Sequence, residues 1–318
     1  MASFEAPQLI FGCGGLGNEF IGKEAVEELL QTLKKLGVAR LDTAGLYPPT
    51  DIGASQRLLG QAGAARLGFT IDTKVLISMT GFKGTLEPEK IAKSVEESTN
   101  ALQFGDGQRI NVFYPHAADV ATPLEDQAYG FNLQYQKGLF KELGVCNFPA
   151  DMLAEYINIC HQKDYVKPTV YQGIYNIIDR RHEGAVLDLV RKNGMQFVAH
   201  SPNASGFLRG SLTSGQVEGT RFSEGNIMSM DARRYDTDEH HKAIRFLDET
   251  LEPHGIAKTE ASLRWLAFHS KLGPKDAIIF GSSKIAQIEQ NVAAIAKGPL
   301  PEGVVTALNG VWDAVKSK

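Results

Sequence analysis

The feature that most limits the fold of this chain is a regular alternation of short β-branched runs with longer segments that carry apolar residues at helical spacing. Eight such runs follow one another, the candidate strands Gln8–Cys13, Ala39–Ala44, Thr70–Leu76, Ile110–His116, Lys141–Asn147, Thr169–Asn176, Gln196–Pro202 and Ala277–Ser282. The segment Lys23–Lys35 represents the helical stretches, with Val26, Leu29, Leu30 and Leu33 on one face. A strand followed by a helix, repeated in this way, predicts parallel strands joined by right-handed crossovers.

Two architectures are built from such units, a doubly wound open sheet and a closed barrel. Eight evenly spaced units without a linker favour the barrel, and 318 residues fit one barrel with insertions. The surplus length lies in a polar segment, residues 203–238, and in a helix at Glu302–Val315 that follows a helix predicted at Lys284–Lys297. We therefore expect an α/β fold, a single (β/α)8 TIM barrel domain over residues 1–318 with a long loop after strand 7 and an extra C-terminal helix.

Composition and charge exclude several classes of function. Lys and Arg number 33 against 37 for Asp and Glu, a net charge of -4, which argues against the nucleic-acid backbone as the main partner. No apolar run approaches the roughly 20 residues that a membrane-spanning helix needs. The N-terminal residues resemble no secretory signal, and Cys13, Cys146 and Cys160 lack CxxC spacing, which fits a reducing compartment. The expectation is a cytoplasmic enzyme that binds neither nucleic acid nor membranes.

A glycine-rich motif near the N-terminus offers a competing interpretation. Residues 12–17 spell GxGxxG directly after a predicted strand, and Asp42 follows about 25 residues later, as in a dinucleotide-binding Rossmann turn. That turn requires a helix to begin at the third glycine, so that the helical amides meet the pyrophosphate. Five residues, Asn18–Gly22, intervene here before the predicted helix at Lys23. The motif is therefore interpreted as a loop at the mouth of a barrel.

Polar residues follow most of the predicted strands. In a parallel barrel, the carboxyl ends of the strands form the functional face. In chain order the residues at these ends are Asp42 with Tyr47 beyond it, Lys74, His116, Asn147, Gln172, His200 with Ser201, and Gly281 with Ser282 and Ser283. Each has an ordinary structural explanation by itself, as a turn cap, a surface ion pair or a packed loop residue. Their joint placement at one face of the barrel favours a functional site.

Four of these residues suggest protonation of a carbonyl oxygen. A tyrosine with an ordinary pKa of about 10 is a poor acid at neutral pH, and the ammonium of Lys74 would lower the pKa of Tyr47. Asp42 would hold Lys74 in its charged form, and a neutral His116 would orient the carbonyl group. No side chain supplies a hydride, so a reduction at this site requires a cofactor.

The motifs at these positions resemble those of the aldo-keto reductases over essentially the whole chain. They are LDTAGLY, TKV, PHAAD, GVCNF, YQGIYN and GSSKIAQIEQN, and the last two are most similar to the aflatoxin-aldehyde reductase branch. The resemblance implies a metal-free barrel enzyme that reduces aldehydes or ketones with NADPH, with NADH as the alternative. It makes Tyr47 the proton donor, Lys74 and Asp42 its tuning pair, and His116 the residue that orients the substrate.

The resemblance also implies a set of binding residues. Asn147 and Gln172 would hold the nicotinamide carboxamide. The full predicted cofactor set is Cys146, Asn147, Gln172, His200, Ser201, Ser205, Gly281, Ser282, Ser283, Lys284, Gln287, Gln290 and Asn291. Ser282, Ser283, Gln287, Gln290 and Asn291 would line the adenine and 2′-phosphate end. Phe20 and Tyr114 would contact the substrate, together with parts of the 203–238 segment such as Phe222, Met228 and Met230.

Three positions depart from the family pattern. Cys146 stands where the family usually has serine, His200 where an aromatic residue stacks on the nicotinamide, and Gln287 where many members place Arg or Lys. A second hypothesis is therefore a cofactor-binding regulatory or sensor subunit with little turnover. The sequence leaves the physiological substrate and the oligomeric state open.

Overall fold

Eight parallel strands close into a barrel, which confirms the predicted architecture. The structure is a computed structural model that describes residues 6–77, 82–225 and 233–316. The strands are β1 Gln8–Gly12, β2 Arg40–Asp42, β3 Thr70–Lys74, β4 Ile110–Tyr114, β5 Phe140–Cys146, β6 Pro168–Ile174, β7 Gln196–His200 and β8 Ala277–Phe280. Each pairs with the next strand in sequence, and β8 pairs with β1. Every carboxyl end therefore lies at the same mouth of the barrel.

Helices surround the strands over the described part of the chain. They are α1 Lys23–Lys35, α2 Ala54–Gln61, α3 Pro88–Leu102, α4 Leu124–Gln136, α5 Ala150–Gln162, α6 Ala185–Lys192, α7 Ser211–Ser214, α8 Asp238–Leu251, α9 Lys258–Phe268, α10 Ile285–Ala296 and α11 Glu302–Val315. Two short 3-10 helices lie at Ala204–Arg209 and Glu252–His254. None of the helices in the described ranges is long and apolar enough to cross a membrane.

Helix α1 shows why these segments become helical. Val26, Leu29, Leu30 and Leu33 recur at helical spacing and are buried against the barrel. Acidic Glu24 lies in the first turn and Lys34 and Lys35 in the last, which complements the helix dipole. The bounds of α1 and of α11 agree with those predicted from the sequence.

The barrel interior has a polar layer near the amino ends of the strands and an apolar layer above it. At the amino ends of the strands, Arg40 Nε donates to Asp72 Oδ2 at 2.8 Å, and Asn111 Nδ2 donates to Asp72 Oδ1 at 2.7 Å. Above them an apolar cluster fills the barrel, formed by Ile10, Val112, Tyr114, Cys146, Val170, Val198, Ala277 and Ile279. The interior is thus a packed floor beneath the mouth, as in other closed α/β barrels.

The two predicted additions to the barrel are also present. Helix α11 docks through Arg180, which donates to the Leu308 carbonyl at 2.8 Å and lies 4.1 Å from the centre of the Trp265 ring. The segment after β7 is less irregular than expected, because a 3-10 helix and α7 occupy its first part and α8 begins at Asp238. Met228 and Met230 lie outside the described residues.

Candidate active site

A buried ion pair occupies the carboxyl ends of β2 and β3. Lys74 Nζ lies 2.7 Å from Asp42 Oδ1 and 2.6 Å from Oδ2, and it also donates to the Thr43 carbonyl at 3.0 Å. Asp42 and Lys74 are only 3% and 1% exposed. Burial opposes the charge on Lys74, yet attraction by the Asp42 carboxylate prevails and raises the pKa of Lys74. A permanent positive charge is thereby fixed beneath the barrel mouth.

Tyr47 and His116 lie next to this ion pair. The Lys74 Nζ atom is 5.4 Å from the centre of the Tyr47 ring. The Tyr47 hydroxyl oxygen is 3.4 Å from His116 Nε2, and the two rings meet edge to face. Burial, with a further contribution from Lys74, holds the pKa of His116 well below its usual value, so the imidazole is neutral. The four predicted catalytic residues therefore form one cluster with defined protonation states for Lys74 and His116.

The strand ends β5, β6 and β7 bring the predicted nicotinamide-side residues together. Gln172 Nε2 donates to Asp42 Oδ1 at 2.8 Å, which joins this group to the ion pair. Asn147 Nδ2 lies 3.3 Å from Cys146 Sγ, and His200 Nε2 lies 3.2 Å from Asn147 Oδ1. Asn147 and Ser201 adopt left-handed backbone conformations, with φ of 57° and 56°. These residues are thus continuous with the predicted catalytic cluster.

A cavity of about 700 Å³ opens beside α10 and contains part of the predicted adenosine site. Four of the predicted cofactor residues line it, Gly281, Gln287, Gln290 and Asn291, and their contact with a cofactor stays a prediction. Asn203, Arg209 and Lys258 line it as well, and sequence reasoning missed all three. Asn203 and Arg209 come from the irregular segment after β7 and Lys258 from the first residue of α9, so no strand-end motif marks them.

The remaining predicted cofactor residues surround the beginning of α10 and the loop after β7. Ser282 Oγ accepts from Asn291 Nδ2 at 3.0 Å, and the Ser283 hydroxyl donates to Gln287 Oε1 at 3.1 Å. Lys284 directly precedes α10. Ser205 lies in the 3-10 helix with φ of 54°. Lys284 and Ser205 are not among the residues that line the cavity, and their cofactor contacts stay predictions.

The predicted substrate residues are more buried than an open pocket wall would be. Phe20 is 6% exposed and Tyr114 is fully buried. Tyr114 lies inside the barrel, where Lys74 Nζ is 5.8 Å from the centre of its ring. Gly144 provides the space, because a Cβ there would lie 2.1 Å from Cε1 of Tyr114. Phe222 packs on Phe207 at 6.4 Å between ring centres, so contact of all three with substrate stays a prediction.

The glycine-rich motif forms a loop, in agreement with the barrel interpretation. Helix α1 begins at Lys23, well after the third glycine. A Cβ on Gly15 would lie 1.9 Å from the Glu19 carboxylate, and a Cβ on Gly14 would contact the Tyr47 ring at 3.8 Å. This loop therefore packs beside the Tyr47 ring.

Comparison with known proteins agrees with this geometry. The model of the Aldo/keto reductase family matches residues 8–313. An aldo-keto reductase of Pseudocercospora fijiensis is 32% identical over 294 residues, which cover 91% of this chain and 97% of that protein. Aflatoxin B1 aldehyde reductase member 2 of Mus musculus is 31% identical over 320 residues, covering 97% of this chain and 85% of that protein. Oxidoreductase sirO of Leptosphaeria maculans is 31% identical over 325 residues, covering 98% and 95%.

The buried neutral histidines predict a pH dependence of stability. Burial lowers the pKa of His200 to about 3, whereas an unfolded histidine has a pKa of about 6.5. Below pH 6.5, His200 is protonated in the unfolded chain but stays neutral in the folded protein. The contribution of neutral His200 to the free energy of unfolding is therefore complete above pH 6.5 and is lost as the pH falls. His200→Gln should reduce the slope of unfolding free energy against pH by about 1.4 kcal/mol per pH unit between about pH 4 and pH 6.

Chemical denaturation at a series of pH values measures this slope. Asp72 opposes the trend, because burial raises its pKa to about 6, but it contributes equally to both proteins and cancels in the comparison. An identical slope in wild type and His200→Gln would show that His200 is charged in the folded state.

Proposed function

The chain belongs to the aldo/keto reductase family, and we propose that it reduces aldehydes and ketones to alcohols with NADPH as cofactor and Tyr47 as proton donor. Family membership makes it an NAD(P)H-dependent oxidoreductase that acts on small-molecule carbonyl compounds. The observation that carries the finer proposal is the cluster at the barrel mouth, where the Tyr47 hydroxyl lies 3.4 Å from His116 and the Lys74–Asp42 pair lies beside the Tyr47 ring.

Each residue of the cluster has a separate task in the proposed mechanism. Bound NADPH supplies the hydride, which no side chain of the site can provide. Tyr47 donates its hydroxyl proton to the carbonyl oxygen as negative charge develops there. The Lys74 ammonium stabilises the resulting phenolate, and Asp42 keeps that ammonium charged and in place. Neutral His116 donates a hydrogen bond to the carbonyl oxygen and so orients the substrate.

The residues of the cleft suit a nicotinamide dinucleotide. Asn147 and Gln172 offer amides for the carboxamide of the nicotinamide, and the cavity beside α10 has room for the adenosine end. The Gly281–Lys284 turn leads into the amino end of α10, where free backbone amides favour a phosphate group. We assign the adenosine end of NADPH to this cavity.

Two neighbouring cations support NADPH over NADH. Arg209 and Lys258 line the same cavity, and Lys258 Nζ lies 3.2 Å from the position that a Cβ on Gly210, the residue after Arg209, would occupy. Asp248 pairs with Lys258 and lines the same cavity with Glu252, so we expect Arg209 to provide the larger part of the attraction for a phosphate. Arg209 and Lys258 would then supply the charge that Gln287 lacks.

The intact cluster favours turnover over a purely regulatory role. A subunit that only senses a cofactor needs the adenosine and nicotinamide contacts, but it does not need a buried ammonium beside a tyrosine hydroxyl. Burial of the Lys74–Asp42 pair carries a desolvation cost, and cofactor binding alone does not require a buried ion pair at this place. We also propose a cytoplasmic location, because Cys13, Cys146 and Cys160 are all free thiols.

Tyr47→Phe tests the proton donor. Removing one hydroxyl leaves the ring packing and the cofactor contacts intact, so the dissociation constant for NADPH should change less than about twofold. The kcat for aldehyde reduction should fall by about 100- to 10,000-fold, the usual contribution of a positioned general acid. NADPH oxidation with aromatic, aliphatic and dicarbonyl substrates measures kcat, and full activity in the variant would refute the mechanism.

Arg209→Gln and Lys258→Gln test the choice of cofactor. Each loses a charged contact to the 2′-phosphate, so NADPH should bind about 10-fold weaker while NADH binds with unchanged affinity. Lys93→Gln is the matched control, since Lys93 is an exposed lysine on α3. Equal weakening of NADPH and NADH would place the cations at the diphosphate instead.

A further inference from the structure

Two of the residues that depart from the family pattern, Cys146 and His200, take part in one chain of hydrogen bonds. The chain runs from His200 through Asn147, Cys146 and Gln172 to the Asp42 carboxylate. These residues come from the ends of β7, β5, β6 and β2, on both sides of the cleft. The chain therefore connects the nicotinamide side of the proposed site with the Lys74 ion pair.

The first bonds in this chain have a fixed direction. Asn147 Oδ1 is a carbonyl oxygen and only accepts, so His200 Nε2–H is the donor across 3.2 Å. His200 Nδ1 then accepts from the Ser201 hydroxyl, 3.0 Å away. This pattern requires a neutral imidazole. Burial, together with the positive charges of Lys74 and Arg234 and the nearby His182, lowers the pKa of His200 to about 3 and keeps the ring neutral.

The buried bonds of the chain are fixed in the same sense. Asn147 Nδ2 donates to Cys146 Sγ at 3.3 Å, and the Cys146 thiol donates to Gln172 Oε1 at 3.7 Å. Gln172 Nε2 donates to Asp42 Oδ1 at 2.8 Å. Burial raises the pKa of Cys146 to about 12, so the thiol keeps the proton that it donates. Each hydrogen bond of this series therefore has one fixed donor and one fixed acceptor.

The chain leaves free the groups that a carboxamide needs. Asn147 and Gln172 each use one N–H and one carbonyl lone pair in this series of hydrogen bonds. Each amide has a second N–H and a second lone pair that can serve a ligand. Gln172 is buried, whereas Asn147 is exposed and its backbone adopts the left-handed conformation with φ of 57°. Its two hydrogen bonds, to His200 and Cys146, therefore hold its amide against rotation.

We propose that His200 is a positioning residue whose Nε2–H fixes the Asn147 amide in the orientation that receives the nicotinamide carboxamide, and that Cys146 links this amide to Gln172 and Asp42. The inference rests on the proposed function, because it assumes a nicotinamide at this position. The positioning role and a stacking role require different properties of the side chain at position 200. Stacking requires a flat ring face, whereas positioning requires a ring N–H directed at Asn147 Oδ1.

His200→Phe separates the two roles, because phenylalanine has a larger apolar ring and no N–H. Positioning predicts that NADPH binds about three- to tenfold weaker to the variant, the effect of losing one hydrogen bond. The fragment 2′,5′-ADP lacks the nicotinamide, so its affinity should change less than about twofold. Fluorescence titration measures NADPH, and calorimetry measures 2′,5′-ADP.

The outcomes of this experiment are distinct. Equal or tighter binding of NADPH to His200→Phe would overturn the positioning role and favour stacking. Equal weakening of NADPH and 2′,5′-ADP would also overturn it, because the change would then be a general loss of structure. Absence of binding of both ligands to the wild-type protein would instead refute the proposed function, and this inference with it.

Cys146 provides an independent test of the link. Cys146→Ala removes the acceptor of the Asn147 amide and should weaken NADPH about threefold, whereas Cys146→Ser keeps a donor and an acceptor and should restore the affinity. Cys160→Ala is the matched control, since Cys160 is equally buried but lies on α5. In the double variant His200→Phe/Cys146→Ala the losses should be less than additive, because both act on one amide. Full additivity would overturn the link.

Discussion

The ion pair between Lys74 and Asp42 is the interaction on which the rest of the site depends. Both groups are almost completely buried, and removal of two charges from water costs more free energy than a simple ion pair returns. The structure offsets this cost with further polar partners, since Lys74 also donates to the Thr43 carbonyl and Asp42 also accepts from Gln172. These bonds hold one positive charge at a fixed place, next to the Tyr47 ring and His116. Burial keeps His116 neutral, with a further contribution from that charge, and the charge makes phenolate formation at Tyr47 favourable.

The barrel supplies this arrangement through the pairing of adjacent strands. Asp42 and Lys74 are the last residues of adjacent strands, and the strand pairing places Asp42 beside Asp72 and Lys74 beside Tyr114. A packed apolar floor lies beneath them, so the ion pair faces the cleft and not a water-filled pore. The polar cluster of Arg40, Asp72 and Asn111 lies nearer the amino ends of the strands, and its Asp72 is close enough to feel the charge of Asp42 on the paired strand.

The sequence was sufficient to predict the barrel and the residues at its strand ends, because both follow from short-range patterns. Asp42, Lys74 and His116 each come at or just after the end of a β-branched run, and Gln172 comes two residues before the end of another. Parallel pairing brings such positions together. Residues without such a pattern were missed. Arg209 lies in an irregular segment, and the pattern around Lys258 indicates only a solvated helix residue. The fold brings both side chains to the same cavity. The burial of Tyr114 could not be predicted from the sequence either, because it depends on the space that Gly144 leaves on the neighbouring strand. Position 130 in α4 requires glycine, because a Cβ there would be 2.9 Å from the Pro88 Cα. Hydrophobic periodicity does not reveal this packing requirement.

The measurement that tests the central role of the ion pair most directly is the single-turnover rate of aldehyde reduction as a function of pH, in the wild-type enzyme and in Lys74→Met. Methionine fills the space of the lysine stem without its charge. If the Lys74 ammonium stabilises the Tyr47 phenolate, the variant should lose about 100-fold or more in rate at neutral pH, and the decline of its rate at alkaline pH should move to higher pH. An unchanged rate and an unchanged alkaline limb in Lys74→Met, with NADPH still bound, would contradict the account.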